Sequence, residues 1–249
     1  MDFRKIFDSI PEEFDQLRPR YCDALFADVI AHANLDAEKS ALEIGPGTGQ
    51  ATEPILQTGC SYLAIELGEH LATFMHKEFG RYANFQLVNA DFETHDFGQR
   101  QFDLIYSAAA FQWIKEDIGY PKVHHLLRSG GTFALFSTQT EREDGALDQR
   151  IQEVYAAHFH PEIEYTLGLE AERDLPNYGF AAIEHRQYQK AYELTAEEYV
   201  ARTKICAPQM TIPEPHQSEL YDGIRQAILD SGGGIRLHDT INLYLARKP

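Results

Sequence analysis

The chain is short of cysteine, of long apolar runs and of positive charge. Its three cysteines, Cys22, Cys60 and Cys206, lie far apart in 249 residues. No CxxC and no metal-ligand spacing occur, which points away from a disulfide framework and a bound metal and towards free thiols in a reducing compartment. No apolar run approaches the length that spans a bilayer. The opening MDFRKIFDSIPEEF lacks the apolar core of a secretory signal, so a soluble, cytoplasmic protein is expected. Lys and Arg number 22 against 39 Asp and Glu, a net charge of −17. Nucleic-acid backbones and anionic membranes are repelled by that balance, so neither is expected as a partner.

What is present is enough for a core. Hydrophobic residues make up 43% of the chain, and the length suits one domain with additions. Short apolar runs alternate with helical patterns over the first 140 residues. Strands are expected at 41–45, 61–67, 84–90, 102–108 and 132–138. Helices are expected over 21–33, after Thr48 (a candidate cap), over 68–79 and over 118–127. Strands that read as near-continuous apolar runs are covered on both faces, so a parallel sheet between helices follows. After Gln139 the alternation breaks. Residues 141–180 read as an insertion over the sheet edge, holding a helix from Leu147 to Phe159. Strands at 181–194 and 234–248 follow, with a capping box at Thr195 and Glu198 and a helix over 214–229.

The stretch LEIGPGTGQ (42–50) joins the first strand to its helix. A dinucleotide fingerprint, GxGxxG, would need glycine at 50, where Gln50 stands. A P-loop would need a lysine that is not there. The observed pattern is Glu43-x-Gly45-x-Gly47-x-Gly49. It resembles motif I of the class I S-adenosylmethionine-dependent methyltransferases, closely over 40–140. FDQLRPRY (14–21) and GIRLHDTINLYLARK (234–248) further resemble the trans-aconitate methyltransferase subgroup. That resemblance implies S-adenosylmethionine as cofactor and one Rossmann-like, doubly wound α/β domain over 1–249. Its seven strands would run 3-2-1-4-5-7-6 with strand 7 antiparallel. An N-terminal helical lid (1–34) and the 141–180 insertion would cover the acceptor.

The resemblance also assigns residues. Gly45, Gly47 and Gly49 would let backbone lie against the cofactor. Glu66, at the end of strand two, would hold both ribose hydroxyls, and Asp91 the adenine amino group. Leu67 and Phe92 are either adenine contacts or plain core. Arg18 either meets the methionine carboxylate or covers a helix face. Ser107 opens the small-residue stretch Ser107-Ala108-Ala109-Ala110 after strand four, where no PPY or NPPF occurs; a planar amine or amide acceptor is thereby disfavoured. Tyr21, Phe111, Trp113 and His238 are candidates for the acceptor wall. Tyr21, His238 and Tyr165 are candidate bases for a hydroxyl acceptor, while a carboxylate acceptor needs no base. Arg18, Arg20, Lys115 and Arg236 are candidate cations for a carboxylate. Two functions stand: methyl transfer to a small molecule, and binding of the cofactor without turnover. A nicotinamide enzyme on a degenerate fingerprint is a third, weaker one.

Overall fold

The structure, a computed structural model, describes residues 2–143, 145–162 and 171–249. A 3-10 helix, Phe3–Ser9, leads into α1 (Pro11–Leu17) and α2 (Asp23–Ala33). Pro11 sits in the first turn of α1, where its missing N–H costs nothing. Arg18 ends α1 in extended geometry, as the residue before Pro19 must. Then come β1 (Ser40–Ile44), α3 (Thr52–Leu56), β2 (Ser61–Glu66), α4 (Glu69–Phe79), β3 (Phe85–Asn89), β4 (Phe102–Ala108), α5 (Glu116–Leu126) and β5 (Leu127–Arg142). The remainder is α6 (Ala146–His158), α7 (Ala171–Asn177), β6 (Ala181–Thr195), α8 (Ala196–Lys204), α9 (Ala207–Met210), α10 (His216–Asp230) and β7 (Gly234–Arg247).

The seven strands form one sheet in the order β3-β2-β1-β4-β5-β7-β6. β1 to β5 pair in parallel, and β7 runs antiparallel between β5 and β6. Alternate residues of the central strands feed two cores. Leu25, Phe26 and Val29 of α2 pack with Ala41, Tyr62, Tyr106 and Phe136 on one face. Leu42, Ile44, Ile65 and Ile105 pack with Tyr120 and Val123 of α5 on the other. Among the described residues no helix is long and apolar enough to cross a membrane.

β5 does not stop with the sheet. Ala108, the last residue of β4, lies beside Phe136, yet β5 stays paired with β7 as far as Arg142. At ~3.3 Å per residue this ribbon reaches about 20 Å beyond the end of β4. A third core wraps it, joining Ile151 of α6, Tyr199 and Val200 of α8, Ile224 and Ile228 of α10, and Ile235 and Leu237 of β7. The capping box at Thr195 and Glu198 starts α8. The 141–180 stretch is therefore not one unit. Its first part is strand and then α6, which joins α8 and α10. Ala171 and Leu175 of α7 instead pack under the parallel sheet beside Phe180. Thr48 is no cap either: α3 begins at Thr52 without a side-chain cap, and the Thr48 hydroxyl accepts a hydrogen bond from the Gln50 amide at 2.5 Å.

The glycine loop is pressed against α4. A Cβ on Gly49, whose φ is +90°, would lie 2.3 Å from the Phe79 ring. Gly98 has φ +60° and open space around it. Gly49→Ala should cost about 2–4 kcal/mol in urea unfolding, from left-handed strain plus overpacking, and Gly98→Ala about 1 kcal/mol from strain alone. Equal losses would show that the contact with Phe79 does not constrain the loop.

Candidate functional site

A cleft opens beyond the carboxyl ends of β1, β2 and β4, where open α/β sheets bind ligands. The glycine loop forms its floor. Gly45 and Gly47 line it, both with positive φ, and a Cβ on Gly45 would lie 2.6 Å from that of Ala110. The three glycine N–H groups are already engaged. Gly45 donates to the Ile65 carbonyl at 2.9 Å, Gly49 to the Pro46 carbonyl at 2.9 Å, and Gly47 to Glu66 Oε2 at 3.0 Å. These glycines therefore offer bare backbone but no spare donors, and a phosphate finds no cradle in them.

Glu66 stands at the end of β2 with its carboxylate in the cleft wall. Its Oε1 accepts from the Gly68 N–H at 2.8 Å. Burial pushes its pKa up to about 7, against the lowering effect of the N–H groups of Gly68 and Gly47. Asp91, past the end of β3, also lines the cleft, but Arg4 grips it at 2.7 and 3.2 Å. The Arg4 guanidinium and the Glu93 N–H hold that carboxyl below its ordinary value although burial works the other way. Arg4 carries no signal in the sequence; only the fold brings it 87 residues to Asp91.

The N-terminal segment is the outer wall. Phe7 and Phe14 stack with ring centroids 4.8 Å apart and face the loop. Asp8 ties the segment to α4, accepting from the Leu71 N–H at 3.0 Å and lying 3.1 Å from His70 Nδ1. Arg18 lies over the Phe14 ring at 5.4 Å. Arg18, Leu67, Phe92, Tyr21 and Trp113 all line the cleft.

Other expected site residues stand elsewhere. Glu43 is fully buried beneath the loop, hydrogen-bonded by Thr52 at 2.6 Å and by Tyr62. Burial raises its pKa to about 7; it supports the site from below. Gly49 faces Phe79. Ser107 is buried and donates to the Ile44 carbonyl at 2.9 Å, tying β4 to β1. Phe111 is core, edge-on to Tyr120 and Phe133. His238 is exposed, because it alternates with the buried Leu237 and Asp239 along β7. Tyr165 lies outside the described residues.

A second cavity adjoins the cleft, sharing Arg18, Pro19 and Tyr21 with it. Thr138, Thr140 and Arg142 of β5 line it at alternate positions, with Tyr155 of α6, Tyr199 and Arg202 of α8, and Cys206. Arg142 is paired with Asp148 at 2.5 Å. Arg202 donates to the Tyr192 hydroxyl at 2.6 Å, Tyr192 lies 3.1 Å from Asp239, and Thr140 donates to Asp239 at 2.6 Å. Neither Arg18 nor Arg202 has a carboxylate within 4.0 Å among the described residues, while Arg20 pairs with Asp15, and Lys115 and Arg236 are exposed. Burial pushes the Tyr21 and Tyr155 phenols up to about 12 and raises Tyr199. At neutral pH these phenols keep their protons and can donate hydrogen bonds. Arg142 and Arg202 went unnoticed in the sequence because no local pattern links β5, α8 and β7.

Comparison with known proteins agrees with the fold. Residues 42–135 match the family model described as a methyltransferase domain. A ribosomal RNA small subunit methyltransferase A of Hahella chejuensis is 31% identical over 108 residues, covering 41% of this chain and 37% of the relative. The chain thus spans well under half the length of that curated relative. Among solved structures, the YcgJ protein of Bacillus subtilis superposes with a TM-score of 0.59 at 15% identity, covering 91% of this chain and 99% of that one. Phosphoethanolamine N-methyltransferase 2 of Haemonchus contortus, solved with S-adenosylhomocysteine, superposes with a TM-score of 0.58 at 17% identity, covering 99% and 60%. The stretch that matches the methyltransferase-domain model thus lies on a sheet of this order and carries this glycine loop, and the fold as a whole is that of the solved methyltransferases it superposes on.

Proposed function

We propose that the protein transfers a methyl group from S-adenosylmethionine to an oxygen of a small anionic acceptor, a carboxylate above all. The carrying observation is the pair of joined cavities, one suited to a phosphate-free cofactor and the other lined by arginines and, among the described residues, by no Asp, Glu or His. A carboxylate acceptor brings its own lone pair, so the missing base is no defect.

S-adenosylmethionine supplies an electrophilic methyl group on a sulfonium. Glu66 would accept from the ribose hydroxyls, and the bare glycines would admit the ligand's close approach. Asp91, with Arg4 on it, would lie at the adenine end, and Arg18 near the carboxylate of the methionine. Arg18 and Arg202 would hold the acceptor anion, and the phenols of Tyr21 and Tyr199 would orient it by donating hydrogen bonds. Residues 3–20 would close over both ligands and keep water out, so that alignment and desolvation do most of the work. The relative named for ribosomal RNA suggests a different acceptor. Against it stands the net charge of −17. Binding without turnover is the remaining reading, and a transfer assay separates it.

Glu66→Ala should weaken S-adenosylmethionine by about 2–4 kcal/mol in calorimetry, the cost of truncating a charge-assisted two-point contact. The pH dependence follows from the raised pKa of Glu66. In the fold, that carboxyl favours its proton, so its contribution to stability is greatest below the ordinary value of 4.5 and is lost as pH rises through about 7. Ribose hydroxyls need the ionised form, so affinity should climb from pH 6 to 8 in the wild type and stay flat in Glu66→Gln. An unchanged slope in that variant would remove Glu66 from the cofactor site.

With a labelled methyl donor and a panel of small carboxylic acids and phenols, label should enter the acids as alkali-labile esters. Arg202→Ala should raise the acceptor KM about 10–100-fold with cofactor affinity unchanged. Cofactor binding with no label transferred to any acceptor would favour the non-turnover reading. For the N-terminal lid, hydrogen exchange over 5–20 should slow when S-adenosylhomocysteine is added. Equal protection in both states would leave the segment a fixed wall.

A further inference from the structure

We propose that His158, His216 and Glu219 form a binding site for a divalent transition-metal ion of the zinc class, which clamps α6 to α10. The site is separate from the cofactor cleft and does not depend on methyl transfer. His158 is the last residue of α6, while His216 is the first of α10 and Glu219 lies one turn further on. The 57 residues between the two histidines hide the pattern from any reading of local spacing; packing of the two helices creates it. Gly223 allows that packing, since a Cβ there would lie 2.7 Å from Val154 of α6.

The donor atoms converge on a point. His158 Nδ1 lies 3.1 Å and His216 Nδ1 3.5 Å from the same Glu219 oxygen. Tetrahedral zinc, with bonds of about 2.0–2.2 Å, sets its ligand atoms about 3.3 Å apart. The three donor atoms all lie within 4.8 Å of one another. An ordinary His–carboxylate hydrogen bond would aim an N–H at the oxygen. Instead both Nδ1 atoms are shielded from solvent and make no hydrogen bond. Two imidazole nitrogens with an otherwise unused orientation, beside a carboxylate, are the donor set that zinc, cobalt and nickel favour. The side chains are 30%, 41% and 48% exposed, so an ion can enter from solvent and keep water in its remaining position. His160 stands beside the group, its ring 4.8 Å from that of His216.

The ion would brace the acceptor side of the molecule. Tyr155, one turn before His158 on α6, lines the second cavity. Gln209 donates to the Tyr155 hydroxyl at 3.4 Å, and Gln217, next to His216, donates to the Gln209 carbonyl at 3.1 Å. Fixing His158 to His216 fixes both ends of that chain of contacts.

The test uses untagged full-length protein, stripped with a chelator and titrated with Zn²⁺ and with Co²⁺. One equivalent of Zn²⁺ per chain should bind and raise the thermal midpoint. Co²⁺ should develop the intense visible bands of a tetrahedral N/O site. His158→Ala and His216→Ala should each weaken Zn²⁺ at least tenfold and abolish the Co²⁺ bands. His125→Ala, an exposed histidine elsewhere, should change neither. Far-UV circular dichroism of the two partly exposed replacements should remain that of the folded chain, which separates loss of a ligand from loss of the fold. Absence of stoichiometric binding, or binding that survives both replacements in folded protein, would overturn the site.

Discussion

The carboxylate of Glu66 holds the ligand-binding end of the sheet together. It accepts from Gly47 on one side and from Gly68 on the other, so the loops after β1 and β2 are fastened to one side chain. Loops of bare glycine are otherwise the least constrained part of a chain. Here the loop is also held from beneath, where Glu43 takes the hydroxyls of Thr52 and Tyr62 and so ties β1 to the start of α3 and to β2. Two buried acids thus fix a turn that must expose its backbone. The cost is visible in both groups: burial raises each to about 7. An isolated buried carboxylate would be untenable, and the hydrogen bonds are what keep these two within reach of ionisation.

From that fixed floor the remaining geometry follows. The used-up glycine donors make the cleft poor for phosphate, and an acid in its wall makes it good for hydroxyls. The N-terminal segment can then close the cleft with rings and few charges, because its polar ties lie at the edges, at Asp8 and Arg4. Arg18, held extended by Pro19, ends up where the cleft meets the second cavity. One proline therefore helps place a cation at the junction of the two cavities.

Much of the parallel half was legible in the sequence for a physical reason. Its strands are covered on both faces, so they read as unbroken apolar runs, and its turns need glycine at set places. Order 3-2-1-4-5-7-6 came from resemblance, since period and composition say nothing about which strand neighbours which. The distal half was less legible. β5 changes character after Phe136, where one of its faces turns from core to cavity; Thr140 and Arg142 fall beyond the strand expected at 132–138, although β7 pairs with them. His238 faces away from the core, because alternation along β7 gives the inner face to Leu237 and Asp239, and the sequence alone does not say which face that is. Arg202, Tyr192 and Asp239 come from three elements and meet only in space. No window of sequence contains them.

The protein's charge adds a last constraint. A net −17 surrounds a cavity whose own lining charges are arginines. Long-range repulsion slows the approach of any anion, but it is screened within about 10 Å at ordinary ionic strength. Inside the cavity the local field dominates, because Arg202 and Arg18 lack carboxylate partners within 4.0 Å among the described residues. The arrangement therefore selects by size more than by charge. A polyanion as long as RNA would lie along the outside and meet the full acidic surface, whereas a small anion would pass it once and, on the proposed reading, meet Arg18 and Arg202. The same −17 that argues against a nucleic-acid partner is thus compatible with an anionic acceptor, provided the acceptor is small enough to leave the surface behind.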